Sequence, residues 1–230
     1  MINVITLRAF GDNYVYLVEH RQGGVVAVDP GDSRVVLDAL KDHALELDAV
    51  LITHNHHDHT GGVRKLKRKT GCRVIWPGDV PGGETVDIAG FKAGVISTPG
   101  HTQDSVCYYF EPAAEDEPGA VFTGDTLFIG GCGRVFGGSY DDMFESLRTL
   151  AGLSEDTAVY PGHDYTEENY RFALSVEPDN ADVKEMLERI GTAGTDRPES
   201  TIGDEKRVNV FMRAANAEEF AKLRRMKDRF

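Results

Sequence analysis

The sequence is poor in several features, and each shortage excludes something. It holds only three cysteines, Cys72, Cys107 and Cys132, with no Cys-x-x-Cys spacing. An odd, scattered set of thiols argues against a disulfide framework and suits a reducing compartment, so a cytoplasmic protein is expected. No apolar run approaches the roughly 20 residues a bilayer-spanning helix needs, so no membrane partner is expected. The opening residues Met1 to Arg8 alternate like a strand and lack the basic and long apolar regions of a signal peptide. Basic residues are outnumbered, 25 Lys and Arg against 38 Asp and Glu, for a net charge of −13. Such a chain lacks the basic footprint that neutralises phosphates, which excludes broad nucleic-acid binding. No internal repeat of supersecondary length is present. What remains is a globular chain of 230 residues, 40% hydrophobic, long enough for one large domain or a medium one with an appendage. A monomer is the simplest expectation for it.

The densest chemistry lies in Thr53-His54-Asn55-His56-His57-Asp58-His59, directly after the apolar run Val50-Leu51-Ile52. Neutral imidazole and carboxylate are the usual ligands of zinc and similar divalent ions. A His-dense run can be a solvated loop. Alternation, however, puts His54, His56 and Asp58 on one side if the chain leaves the strand extended. Gly61-Gly62 then permits a tight turn into the next element.

Hydrophobic patterning divides the chain in two. Strand signals run from Val4 to Leu7, Tyr14 to Val18, Val25 to Val28 and Asp48 to Thr53. They continue over Val74 to Trp76, Glu84 to Ile88, Phe91 to Ser97, Val106 to Phe110, Ala120 to Phe122 and Thr157 to Tyr160. Helical spacing appears over Ser33 to Leu40, Val63 to Lys69 and Asp141 to Leu150. After about Tyr165 strand signals nearly vanish. Helices are expected over Thr166 to Val176 and Ala181 to Ile190, a loop over 191–203, and a last helix capped by Asn216 with Glu219 completing a capping box. The expected organisation is a mixed α/β domain over 1–165 and a small all-helical domain over 166–230.

Three further ligand types stand at strand ends, each directly after a glycine: His101 in Thr98-Pro99-Gly100-His101, Asp125 in Thr123-Gly124-Asp125, and His163 in Tyr160-Pro161-Gly162-His163. Singly, a loop histidine is usually a surface or hydrogen-bonding residue, and Asp125 reads as a turn or helix cap. Together with His54, His56, Asp58 and His59 they make seven side chains, enough for two metal ions if one carboxylate bridges. His20, His43 and His57 lack this setting.

The pattern His54-x-His56-x-Asp58-His59 with His101, Asp125 and His163 resembles the metallo-β-lactamase superfamily and, within it, the glyoxalase II family of hydroxyacylglutathione hydrolases. The resemblance extends over Asp12-Asn13-Tyr14, Asp29-Pro30-Gly31, Cys132-Gly133, Gly162-His163-Asp164-Tyr165 and the C-terminal segment. It implies an αββα sandwich with the metals at one edge. It further implies that His54, His56 and His101 hold one ion, that Asp58, His59 and His163 hold the other, and that Asp125 bridges both. Asp29 matches a carboxylate behind the site that orients a ligand. The metals implied are two divalent ions, zinc first, with iron and manganese as alternatives.

The same resemblance suggests the substrate. Arg224 and Lys227 are three apart on the last helix and match cations that grip the glycine carboxylate of glutathione; read alone, they are cations offsetting a helix macrodipole. Tyr165 matches a residue that hydrogen-bonds the glutathione backbone. The chain departs from the family at Arg134, where many members have lysine, at Phe136, which lacks a tyrosine hydroxyl, and at Asn209-Val210-Phe211, where Asn-Pro-Phe is usual. The reaction implied is hydrolysis of S-D-lactoylglutathione by hydroxide held between the ions. Asp58 and Asp125 serve it as ligands, with no separate general acid. The rivals are a mononuclear iron persulfide dioxygenase or a metallo-lactonase of the same superfamily, and a non-catalytic metal module.

Overall fold

The computed structural model describes residues 2–21, 23–112, 114, 117–192 and 199–230. β1 (Asn3–Ala9) turns through Phe10 to Asp12 into β2 (Asn13–Glu19), and β3 (Val25–Val28) pairs antiparallel with it. A crossover through α1 (Ser33–Asp42) delivers β4 (Ala49–Leu51) parallel to β3. α1 begins where the Asp32 carboxylate accepts the Arg34 amide, a side-chain cap for an otherwise orphaned donor. α2 (His57–Thr60) and α3 (Val63–Thr70) then lead to β5 (Arg73–Ile75), which completes a five-stranded sheet in the order β1-β2-β3-β4-β5.

The second sheet repeats this size with different connections. β6 (Thr85–Ile88), β7 (Phe91–Ser97), β8 (Val106–Phe110) and β9 (Ala120–Gly124) form an antiparallel meander. A short hairpin, β10 (Leu127–Phe128) and β11 (Gly131–Cys132), follows, then α4 (Tyr140–Ala151). β12 (Ala158–Pro161) pairs parallel with β9, giving the order β12-β9-β8-β7-β6. The remaining helices are α5 (Thr166–Val176), α6 (Ala181–Thr192), α7 (Ile202–Val208) and α8 (Ala217–Lys227). Of the loop expected over 191–203, residues 193–198 lie outside the described residues.

Alternating strand residues explain the layers. One face of each sheet meets the other over Tyr16, Val28, Leu51, Val95, Tyr108 and Phe122. The outer face of the first sheet packs Leu17, Ala27 and Val50 under Val36, Leu40 and Leu66 of α1 and α3. The outer face of the second packs Val121 and Val159 under α4, α5, α7 and α8 through Leu147, Tyr170, Val208 and Phe220. The result is the αββα sandwich with C-terminal helices that the motifs implied. Residues on both sides of 165 share this last layer.

Three local expectations are corrected. The His run is extended only as far as His56, whose ψ is 147°, and then turns into α2. Alternation therefore aligns His54 with His56, while Asp58 is carried to the other side by the helical turn. The capping box at Asn216 is displaced by one residue: Asn216 accepts the Glu219 amide, but the Glu219 carboxylate accepts the amide of Ala215. α7 begins at Ile202, inside the end of the loop expected over 191–203, and runs on to Val208. A real capping box starts it, with Thr201 and Asp204 exchanging bonds.

Candidate metal centre

Strand ends and loops at one edge of the sandwich deliver all seven ligand candidates. β4 runs into Thr53 and His54, and β7 ends just before the loop carrying His101. Asp125 follows β9 and His163 follows β12. At Gly124 the chain bends with φ of 48°, and a Cβ there would overlap the Thr53 side chain, so only glycine turns Asp125 off the sheet. At Gly162 the demand is space: a Cβ would lie 2.5 Å from Asp125 Oδ1 and 2.7 Å from His59 Cε1.

Two convergent groups take up the ligand candidates, one of His54, His56, His101 and Asp125 and one of Asp58, His59 and His163, and a third joins Asp29 to His54 and His59. In the first, His56 Nδ1 lies 3.1 Å from His54 Nε2 and 3.0 Å from His101 Nε2. The hydrogen bonds behind the rings fix their tautomers. Thr53 Oγ1 gives its proton to Asp29, at 2.5 Å, and so accepts from His54 Nδ1 at 3.1 Å. His101 Nδ1 donates to the Arg134 carbonyl at 2.8 Å. Both Nε2 atoms therefore present lone pairs, and His56 Nδ1 can donate to only one of them. Burial holds His54 down, to about 2, and lowers His101 as well, so these rings are neutral. Facing lone pairs in a dry site call for a cation.

The second group is organised by carboxylates. Asp58 Oδ2 stands 3.4 Å from His59 Nε2 and 3.3 Å from His163 Nε2. His59 donates from Nδ1 to Asp29 at 3.0 Å, and His163 Nδ1 faces Asp12 at 3.3 Å. Burial opposes a charge on either ring, but Asp125, Asp58 and Asp29 outweigh it for His59, which is raised well above the ordinary value. Asp125 and Asp58 likewise lift His163 to about 9. Hydrogen bonds from His163 and His59 hold Asp58 well below the carboxylate range, and Asp125 is lowered by the same rings against its burial. This half of the site is built to neutralise positive charge.

Asp125 stands between the halves. Its Oδ2 is 3.4 Å from His101 Nε2 and 3.5 Å from His163 Nε2, and its Oδ1 is 3.4 Å from His59 Nε2. Oδ1 is buried and takes no hydrogen bond among the described residues, a costly state that a bound cation relieves. The donor set, the tautomers and this orphaned oxygen all fit a pair of divalent ions.

Asp29 accepts from the Thr53 amide at 2.8 Å, the Thr53 hydroxyl and His59. It does so at φ of 50°, a left-handed conformation that aspartate tolerates better than most residues. Asp12 and Asn13, quoted above only as part of a likeness, carry specific roles: Asn13 donates to Asp58 Oδ2 at 2.9 Å. Their one sequence signal is an amide and a carboxylate in a turn after Gly11.

A cleft of 420 Å³ opens beside the centre, lined by the ligand candidates His101 and Asp125 together with Tyr165, Glu168, Arg224 and Lys227. Tyr165 stacks on His163, rings 4.9 Å apart and nearly parallel, and burial pushes its hydroxyl up to about 12. Both C-terminal cations already have partners. Arg224, 3% exposed, donates to the Cys132 carbonyl at 2.7 Å and to Asp228 at 3.2 Å. Lys227 is paired with Glu168, which sequence reasoning missed. Arg134 reaches Asp228 at 3.6 Å with an exposed side chain, and it is its carbonyl that touches the ligand candidate His101. Phe136, 67% exposed, holds its ring 5.5 Å from His101 and 6.0 Å from His56.

Comparison with known proteins agrees with this geometry. Residues 8–81 and 76–163 match the metallo-beta-lactamase superfamily, and residues 164–230 match the hydroxyacylglutathione hydrolase C-terminus. The chain is 41% identical to the hydroxyacylglutathione hydrolase of Chromohalobacter salexigens and 39% identical to that of Photobacterium profundum, covering 100% of both chains in each case. The chain belongs to the hydroxyacylglutathione hydrolase family. Among solved structures, ETHE1 from Myxococcus xanthus superimposes with a TM-score of 0.73 at 26% identity, covering 98% of this chain and 90% of its own. TTHA1623, solved in a di-iron-bound form, gives a TM-score of 0.64 at 27% identity, covering 91% of this chain and 99% of its own. Hydroxyacylglutathione hydrolase membership thus accounts for the metal half and the C-terminal helices of one chain together. No helix among the described residues is long and apolar enough to cross a membrane.

Proposed function

We propose that this chain hydrolyses S-(2-hydroxyacyl)glutathione thioesters, with S-D-lactoylglutathione as type substrate, releasing glutathione and D-lactate as in the second step of methylglyoxal detoxification. The observation that carries this is one carboxylate, Asp125, whose oxygens lie within 3.5 Å of nitrogens from both ligand groups, on a cleft also lined by Arg134, Arg224 and Lys227. We assign His54, His56 and His101 to one ion, Asp58, His59 and His163 to the other, and Asp125 to both. Zinc is the assigned metal; iron and manganese suit the same donors. Two such ions would lower the pKa of a bound water and polarise a substrate carbonyl.

The chain's own residues supply position. Asp29, Asp12, Thr53 and the Arg134 carbonyl each hold the rear nitrogen of a ligand ring, so that Nε2 of His54, His59, His101 and His163 faces inward. Asn13 holds Asp58 in the same way. Arg224 and Lys227 are assigned to the substrate carboxylate, with Tyr165 and Arg134 along the cleft wall. A glutathione thiol has a pKa of about 8.5 and leaves as the thiolate, so no side chain is needed as general acid. Residues 1–165 thus hold the ions and give Arg134 and Tyr165 to the cleft, and 166–230 add the substrate-binding Arg224 and Lys227. Three buried, unpaired cysteines suit the cytoplasm.

A mononuclear persulfide dioxygenase needs only one His, His and Asp set, and the second group of ligands on the far side of Asp125 favours the hydrolase. Purified protein given S-D-lactoylglutathione should release free thiol and lose the thioester. Oxygen uptake with glutathione persulfide, and no thioester loss, would reverse the assignment.

A further inference from the structure

We propose that Glu205 is a positioning residue for the metal centre, acting through the β10–β11 hairpin. The inference rests on the two-ion reading above and goes beyond it, because Glu205 touches neither the ligand candidates nor the cleft.

The hairpin has two residues in each strand, far too little to hold itself. Four successive residues are instead gripped from the C-terminal helices. Asn169 of α5 donates to the Ile129 carbonyl at 3.0 Å, and the Gly130 amide donates to Glu205 of α7 at 2.9 Å. Asn209, which caps α7, donates to the Gly131 carbonyl at 3.0 Å, and Arg224 of α8 to the Cys132 carbonyl at 2.7 Å. Gly130 sits at φ of 70°, and a Cβ there would lie 2.5 Å from the Tyr170 ring, so the hairpin has no slack.

Glu205 ties these grips together. It is fully buried; one oxygen accepts from Gly130 and from Asn209, at 2.8 Å, and the other from the Ser200 hydroxyl at 2.6 Å. Removing the acceptor orphans buried donors on both sides of the contact. Burial pushes this carboxyl up to about 7, against the pull of those donors.

The hairpin in turn leads directly out of and back into the site. Asp125 stands two residues before it, and the Leu127 carbonyl is held by Thr123 at 2.7 Å. After it, Gly133 returns to the Thr126 carbonyl at 3.4 Å and packs on Asp125, and the next carbonyl, Arg134, fixes His101. A shift of the hairpin therefore moves the assigned bridging carboxylate and the hydrogen bond that sets the tautomer of a ligand ring. Outer hydrogen-bond partners of metal ligands are worth about 10–100-fold in affinity.

The test is zinc affinity of the metal-stripped full chain, read by competition with a chromophoric chelator, with circular dichroism and kcat and KM on the same variants. Glu205→Gln can accept from Gly130 and Asn209 while donating to Ser200, and should keep wild-type affinity. Glu205→Leu fills the space without acceptors; it should bind zinc about tenfold or more weakly, with kcat falling more than KM rises. Asn169→Ala removes the grip on the Ile129 carbonyl and should weaken zinc in the same direction. A folded Glu205→Leu with wild-type zinc affinity overturns the proposal. If that variant does not fold, Asn169→Ala with wild-type affinity overturns it. A wild-type chain that binds no zinc would instead refute the metal centre on which the inference rests.

Discussion

Asp125 concentrates the residue-scale argument. Its oxygens lie within 3.5 Å of nitrogens from both ligand groups. Asp125→Ala should lose both ions and on the order of a thousandfold in kcat, the scale of losing metal activation of water and carbonyl together; elemental analysis of the purified variant checks this. Glu168 makes the opposite kind of prediction. Its carboxylate occupies Lys227, where a substrate carboxylate is assigned to bind, and its side chain is 62% exposed. The Lys227 side chain is only 6% exposed, so the pair is half-buried and worth more than a surface one. Glu168→Gln should therefore lower KM for the glutathione thioester by about twofold or more, leaving kcat unchanged, while Lys227→Ala raises KM. Steady-state kinetics at two ionic strengths separates the two effects.

At the scale of elements, what could be read in advance follows from what local pattern encodes. β3, β7, β8 and α5 begin and end where periodicity places them, because each owns a run of alternating or helically spaced apolar residues. The strand-Gly-ligand grammar brought His101, Asp125 and His163 to notice because strand ends and glycines are local signals. The hairpin of Leu127 to Cys132 is different: its apolar run is continuous, and its shape comes from Asn169, Glu205, Asn209 and Arg224, up to 92 residues downstream. No local rule reports such contacts. The partners behind the ligand rings, Asp12 and the Arg134 carbonyl, escaped for the same reason.

Two element-scale predictions follow from this packing. Phe220 of α8 is fully buried among Phe144, Phe211 and Tyr140. Phe220→Ala should cost about 3–5 kcal/mol in urea unfolding, so α8 belongs to the core and is no detachable cap. Glu205 sets a pH dependence whose sign can be worked out. Its carboxyl is raised from 4.5 to about 7 by burial, with Asp204 adding to the shift and Ser200, Asn209 and the Gly130 amide opposing it. A raised carboxyl binds its proton more tightly when folded, so its contribution is complete below pH 4.5 and is lost as pH rises to about 7. Relative to Glu205→Gln, the wild-type chain should lose stability over that window and run parallel to it above. Urea midpoints of both proteins across the range check this.

Across the whole molecule, one arrangement links fold, charge and chemistry. Two sheets pack face to face so that four strand ends and one short helix deliver histidines and carboxylates to a single edge. Helices from the last part of the chain close that edge with cations, on a protein whose net charge is −13. The acidic surface repels anions generally; Arg134, Arg224 and Lys227, each paired with Asp228 or Glu168, are the cations we assign to an anionic thioester. The chelator-stripped chain, refilled with zinc in steps, tests this most directly when bound zinc and S-D-lactoylglutathione hydrolysis are measured on each sample. Hydrolysis that reaches its plateau only as bound zinc reaches two ions per chain is the expected result. A plateau at one ion, or hydrolysis that survives complete removal of metal, would contradict the account.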